Sequence, residues 1–302
     1  MKSERILAVG SVALDSVETP FGKVKDTLGG SASFFGAAAR FFAPVSLVAV
    51  VGEDFPKKHL RLLEKCGVDI GGIETARGKT FRWRGFYDYD LNNARTLKTE
   101  LNVFQSFKPR LSPEHRASRI VFLANIDPDI QRAVLDQVRN PSLVACDTMN
   151  YWIEHKKKSL LKLLARVDIF LCNDSEAREL SGEYNLIKAA RGILARGPRL
   201  ALIKKGEHGV LCFSQNSLFS VPAYLLEKIF DPTGAGDSFA GGFLGYVSKS
   251  PNLSERVVRR AVIYGTVLAS YNVESFSLSR LARLTPAEIA GRYKEFQKLT
   301  RF

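Results

Sequence analysis

The stretch Asp231-Pro232-Thr233-Gly234-Ala235-Gly236-Asp237-Ser238-Phe239-Ala240-Gly241-Gly242 carries residue types and spacing suited to chemistry. Ile229 and Phe230 close an apolar segment. Pro232 and the Gly-Ala-Gly run then force a turn, because glycine reaches backbone angles that other residues avoid. Beyond it, Phe239, Phe243 and Tyr246 recur at helical spacing, so the glycines sit where a helix begins. The first N–H groups of a helix lack internal partners and lie at its positive end. Small residues there let an anion approach the backbone. Asp237 lies inside this anion site. A helix-capping aspartate is the plain alternative. A base beside a phosphate cradle points instead to phosphoryl transfer, with Asp237 taking a proton from an attacking hydroxyl.

The rest of the chain must position that turn. Its 302 residues allow one large α/β domain or two small ones. Ile6 to Leu14 reads as a buried strand that delivers Asp15 to its C-terminal end, where ligands bind in open α/β sheets. Gly29-Gly30 precedes a helical run, Ser31 to Phe42. Val45 to Val51 reads as a strand and Phe55 to Cys66 as a helix. Further strands are predicted at Ile120 to Ala124, Leu143 to Cys146, Ile169 to Cys172 and Leu200 to Lys204. Gly209 to Phe213 and Phe219 to Tyr224 read as an antiparallel pair. Helices are predicted at Ser254 to Ser270 and Pro286 to Leu299. This βαβ rhythm implies an α/β fold with a mostly parallel sheet flanked by helices.

The rhythm breaks between Gly78 and Phe107. Thr80 to Tyr87 and Thr96 to Phe104 alternate around a polar turn, which predicts an antiparallel hairpin paired near Glu18 to Thr27. The expectation is a single domain over residues 1–302 with a small β-sheet lid formed by about 16–28 and 78–107.

The formal charge of +13 raises the question of nucleic acid, but the basic residues are spread along the chain and their clusters are short. No nucleic-acid partner is expected. No apolar run approaches the ~20 residues of a membrane span, and no secretory leader is evident, so the cytoplasm is the expected compartment. Cys66, Cys146, Cys172 and Cys212 form no Cys-x-x-Cys pair and read as buried thiols. Gly78-Lys79-Thr80 lacks the earlier glycine of a phosphate-binding Walker loop, since Ile73 stands there. After Gly234 and Gly236 the next glycine, Gly241, comes too late for a dinucleotide fingerprint.

The string from Asp231 to Gly242 resembles the signature of the ribokinase family, also called the phosphofructokinase-B family of carbohydrate and nucleoside kinases. The resemblance implies a ribokinase-like fold. It also implies Asp237 as catalytic base and Gly234, Ala235 and Gly236 as anion hole. Asn173-Asp174-Ser175-Glu176 follows a predicted strand and reads by itself as a capped helix start. It also resembles the family's Asn-x-x-Glu motif, which implies that Glu176, with Asn173, holds magnesium through water. Lys205, Gly206 and Gly209 match the family's Lys-Gly-x-x-Gly turn at the nucleotide. Thr233, Gly234 and Gly236 are implied in the same ATP site. Asp15, Gly29 and Gly30 match the residues that receive the substrate's hydroxyls. Phe34 stands where the family commonly has asparagine. Potassium, if used, is implied near Asp231 and Thr233. The expected activity is ATP-dependent phosphorylation of a hydroxyl on a sugar or sugar-like molecule; the alternative acceptor is a nucleoside, with Phe34, Phe81, Trp83 and Tyr87 as candidates for its base slot. The lid aromatics equally suit a lid core or a lid-to-lid homodimer.

Overall fold

The apolar runs become strands buried on both faces. The protein is described here by a computed structural model covering residues 3–92, 94–250 and 252–300. In chain order the strands are β1 (Ile6–Val9), β2 (Ala13–Thr19), β3 (Gly22–Gly29), β4 (Val45–Gly52), β5 (Asp69–Ala76), β6 (Arg82–Tyr87) and β7 (Ala94–Glu100). They continue with β8 (Ile120–Leu123), β9 (Leu143–Asp147), β10 (Ile169–Asn173), β11 (Leu200–Lys204), β12 (Val210–Phe213) and β13 (Leu218–Val221). Nine of them form one sheet in the order β13-β12-β11-β10-β9-β8-β1-β4-β5. All pairs from β11 to β5 are parallel, and β12 and β13 add an antiparallel edge. The expected mostly parallel α/β sheet is therefore present.

Strand alternation explains why both faces are apolar. Ile6 and Ala8 point into one core, with helices Ser31–Ala39, Ala235–Val247 and Glu255–Asn272. Leu7 and Val9 point into the other, with helices Pro128–Leu135, Asn150–Leu164, Asp174–Ser181 and Leu186–Leu194. Phe35 stacks on Phe122 with centroids 4.1 Å apart, pinning helix Ser31–Ala39 to β8. Such a pair adds roughly 0.5–1.5 kcal/mol beyond its buried area. Because β1 lies between β8 and β4, the strand order reverses there, and at such a switch point open α/β sheets bind ligands beyond the strands' C-terminal ends.

Three expectations are corrected. Ile6 to Leu14 is not one strand. It breaks at Gly10, where a Cβ would lie 2.6 Å from Ala124 Cβ, and the chain passes to a second sheet. Asp15 therefore belongs to β2, beyond the end of β1. The hairpin of β6 and β7 is present, but its second arm ends at Glu100. Asn102, at φ 49°, turns the chain into a short 3₁₀ segment that buries Val103 and Phe104. Finally, β6 pairs in parallel with β2, while β3 lies on the far side of β2, giving the order β3-β2-β6-β7. The tight connection at Pro20-Phe21 makes β3 the hairpin partner of β2 and leaves the other edge of β2 for β6. Strand β5 had no sequence signal, since Asp69–Ala76 is half-exposed and lacks an apolar run.

Among the described residues no helix is long and apolar enough to cross a membrane. The four cysteines are buried and unpaired.

Candidate active site

Helix Ala235–Val247 begins at Gly234, which adopts a left-handed φ of 76°. A Cβ there would lie 2.3 Å from the ring of Phe34, so glycine is required on both counts. Phe34 itself is buried under this turn. Ala235 N–H donates to Pro232 O at 3.1 Å and is engaged within the turn. Asp237 lies in the first turn of the helix. Burial raises its pKa to about 7, Asp147 adds to the rise, and Lys204 opposes it.

Asp15 approaches from the second sheet. Its Oδ2 accepts Gly30 N–H at 3.4 Å, and a Cβ at Gly29 would lie only 1.9 Å from that oxygen. Burial pushes Asp15 up to about 7; the Gly30 N–H opposes this, and the charges of Asp231 and Asp237 add to it. Asp231 is buried, accepting Thr233 N–H at 2.9 Å and Ser277 N–H at 3.3 Å. Burial raises its pKa as well, against those hydrogen bonds. Asp231 and Asp237 thus lie near enough to Asp15 for their charges to act on it.

The neighbouring strands β9, β10 and β11 each end in a polar residue. Asp147 Oδ2 is 2.7 Å from Lys204 Nζ. Burial alone would pull Lys204 down, but Asp147 and Glu176 outweigh it and hold the ammonium charged. Asn173 and Glu176 form a reciprocal capping box: Asn173 Oδ1 accepts Glu176 N–H at 2.8 Å, and Glu176 Oε2 accepts Asn173 N–H at 2.6 Å. The capping role is therefore real. Glu176 is nevertheless buried beside Lys204 and Asp147, and burial raises its pKa to about 8, against Lys204.

Lys205, Gly206 and Gly209 form the turn after β11. Lys205 N–H donates to Gly209 O at 2.8 Å, and a Cβ at Gly209 would meet Val221 O at 2.0 Å. Gly206 lies against Asn92, whose amide donates to Glu207 Oε1 at 2.8 Å. The turn between β6 and β7 thus reaches the turn after β11.

Several residues at the site escaped the sequence reading. Lys204 and Asp147 are 57 positions apart, and only the folded sheet pairs them. Period-two alternation at the end of β11 was the available signal for Lys204. Tyr87, considered only as part of a base slot, has a buried hydroxyl that accepts from Thr233 Oγ1 at 3.4 Å. Burial raises its pKa, against the Thr233 contact, and the three aspartates add to the rise. Ser277, at φ 58°, sends Oγ to Leu28 O at 2.5 Å and N–H to Asp231, joining the helix-start loop to the Gly-Gly segment. Asn272 Nδ2 donates to Thr233 O at 2.8 Å.

A family profile described as pfkB family carbohydrate kinase matches residues 4–282. A cytidine kinase of Thermococcus kodakarensis is 32% identical over 258 residues, covering 83% of this chain and 91% of that protein. The crystal structure of Methanocaldococcus jannaschii nucleoside kinase, described as an archaeal member of the ribokinase family, superposes with a TM-score of 0.77 at 21% identity, covering 97% of this chain and 99% of that one. Fructokinase from Vibrio cholerae, bound to fructose, ADP and calcium ion, superposes with a TM-score of 0.78 at 17% identity, covering 96% and 99%. These two likenesses show the fold.

Proposed function

We propose how this chain, which belongs to the pfkB family of carbohydrate kinases, performs its reaction. It is a phosphotransferase with an alcohol acceptor, a sugar or nucleoside kinase. Its acceptor is a hydroxyl on a sugar unit, free or within a nucleoside, and its donor is ATP. Asp15, with the Gly29-Gly30 segment, receives the acceptor's hydroxyls. Asp237 takes the proton from the attacking hydroxyl as its oxygen bonds to the γ-phosphorus and ADP departs. The backbone of Gly234 and Gly236 faces the developing negative charge, while Ala235 N–H is held by Pro232 O at 3.1 Å and shapes the turn. Gly206, Gly209 and Lys205 line the nucleotide, and Thr233 flanks it. The observation that carries this reading is Asp237 at a helix start, with a pKa near 7 that suits a general base at neutral pH.

Among the described residues no three His, Cys, Asp or Glu side chains gather as a metal cage. The donors proposed for magnesium are Glu176 and Asn173, a set that fits an ion bringing its own water and phosphate oxygens. Magnesium, when bound, neutralises charge on the nucleotide phosphates. Potassium activation belongs to the same reading: Asp231 is buried, and Asn272 Oδ1 is buried with no partner among the described residues.

The four-stranded sheet acts as the lid over the site and carries Asp15 on β2. Its exposed edge, β7, is the face for lid-to-lid pairing of two copies. The cytoplasm, which supplies ATP, suits four unpaired cysteines.

A nucleoside acceptor has one specific observation in its favour. Trp83 lies opposite Asp15 in the parallel register, so the two side chains share a face. Its ring covers Gly85, where a Cβ would lie 2.1 Å from it. This makes a flat aromatic platform beside the hydroxyl site. The experiment is ATP turnover on a panel of nucleosides and free sugars, with the parent and Trp83→Ala. Base stacking predicts turnover of cytidine or another nucleoside, and a loss of ~1–3 kcal/mol in Trp83→Ala. Turnover of free sugars alone would assign the acceptor to that class; no turnover with any member would contradict the sugar-unit reading.

A further inference from the structure

Lys204 ends β11, and its ammonium is 2.7 Å from Asp147 Oδ2 at the end of β9. The pair is enclosed, with side chains 19% and 3% exposed. Gln131, itself buried, ties the end of β9 to that of β8: its amide donates to Asp147 O at 3.1 Å and to Ala124 O at 2.8 Å. The backbone that carries this carboxylate is therefore fixed from behind, and Asp147 Oδ1 accepts Thr148 N–H at 2.9 Å.

The ammonium faces the start of helix Ala235–Val247. A Cβ on Gly236 would lie 3.0 Å from Lys204 Nζ. Gly236 is helical and does not need glycine for its backbone angles, unlike Gly234. Its missing side chain keeps open the space between the ammonium and the backbone turn. Stability does not account for the pair, because replacing a buried ion pair by well-packed apolar residues is often neutral or stabilising. What the pair provides is a compact positive charge fixed beside a helix start that favours anions.

We infer that Lys204 is a further catalytic residue, whose ammonium, set in place by Asp147, binds the phosphoryl group in transit. This rests on the reading of Asp237 and the Gly-Ala-Gly turn given above. The acceptor oxygen bonds to the γ-phosphorus as the bond to the bridging oxygen of ADP breaks. The acceptor's proton goes to Asp237. Lys204 keeps its protons and acts through charge and hydrogen bonds on the equatorial oxygens, where negative charge resides in the transition state. Asp147 is a positioning residue.

The test compares Lys204→Met, Lys204→Arg, the double variant Asp147→Asn/Lys204→Met, and Asp237→Asn. Turnover is read as ADP release from ATP–magnesium with cytidine, or with a better acceptor where the panel yields one. Loss of a fixed transition-state donor costs ~10²–10³ in kcat. Lys204→Met is expected to lose that much, with KM for the acceptor nearly unchanged, and Lys204→Arg to recover part of it. The double variant removes the carboxylate hydrogen-bonded to the lysine together with it, so it is expected to melt closer to the parent than Lys204→Met does while remaining as slow as Lys204→Met. Turnover near the parent's in folded Lys204→Met or in the double variant overturns the inference. If Asp237→Asn is inactive in the same assay, only the role of Lys204 fails; if Asp237→Asn is also active, the reading beneath it fails.

Discussion

Gly234→Ala perturbs the turn at its tightest point. Its new Cβ would lie 2.3, 2.4 and 2.5 Å from three atoms of the Phe34 ring. The left-handed φ of 76° adds a second penalty. A non-glycine residue there costs roughly 1–2 kcal/mol, and overpacking in a filled core a further ~1–3 kcal/mol. The variant should lose about 2–5 kcal/mol of stability. At ~2.1 cal/mol/K of unfolding entropy per residue, a chain of 302 residues loses about 1.6 °C per kcal/mol, so the melting temperature should drop by about 3–8 °C. Calorimetry on the ligand-free protein measures this directly. Phe34→Ala removes the obstructing ring at its own cost, so Gly234→Ala and Phe34→Ala should be less than additive by about the overpacking share. Turnover should fall ~10²-fold or more, because the backbone donors move with the turn. A melting temperature within about 1 °C of the parent, or strictly additive penalties, would refute the packing argument.

Asp15→Asn tests the buried aspartates. The pKa of Asp15 is raised from 3.8 to about 7, so between those values the folded protein holds a proton that the unfolded chain releases. Its contribution to stability therefore falls as pH rises through this window. The melting temperature of Asp15→Asn should rise relative to the parent between pH ~4 and ~8 while turnover collapses; a pH-independent difference would contradict the burial of that charge. Glu176→Gln keeps an oxygen for Asn173 N–H, so the capping box survives and stability changes little. The magnesium concentration for half-maximal rate should rise in this variant, and an unchanged dependence would leave Glu176 with its capping role alone.

Much of this arrangement was legible because it is local in sequence. The turn at Gly234, the helix after it and the capping box at Asn173 each lie within a few consecutive residues, so their backbone demands show in residue type. The start of helix Pro286–Leu299 is equally local, set by the capping pair Thr285 and Glu288 around Pro286. What escaped was set by pairing across the chain. Asp147 meets Lys204 only because β9 and β11 flank β10. Lys204 and its neighbour Lys205 look alike in sequence, yet the first closes β11 and the second begins the turn after it, which puts them in different surroundings. The transfer of the chain at Gly10 from one sheet to the other left no signature, because an apolar run through Leu14 suits either sheet. The ring of Phe34 packs under Gly234, a contact between distant parts of the chain that the sequence around Phe34 does not announce.

The measurement closest to the central claim is the pH dependence of kcat/KM for the parent and for Asp237→Asn, with the fold of each confirmed. A base must be deprotonated to act, so the parent's kcat/KM should rise with pH through an acid limb centred near 7, where burial and Asp147 place the Asp237 carboxyl. Asp237→Asn should be slower by ~10²–10⁴ and should lack that limb. A folded Asp237→Asn enzyme that turns over at nearly the parent's rate, with the same acid limb, would contradict the assignment of Asp237 as the base.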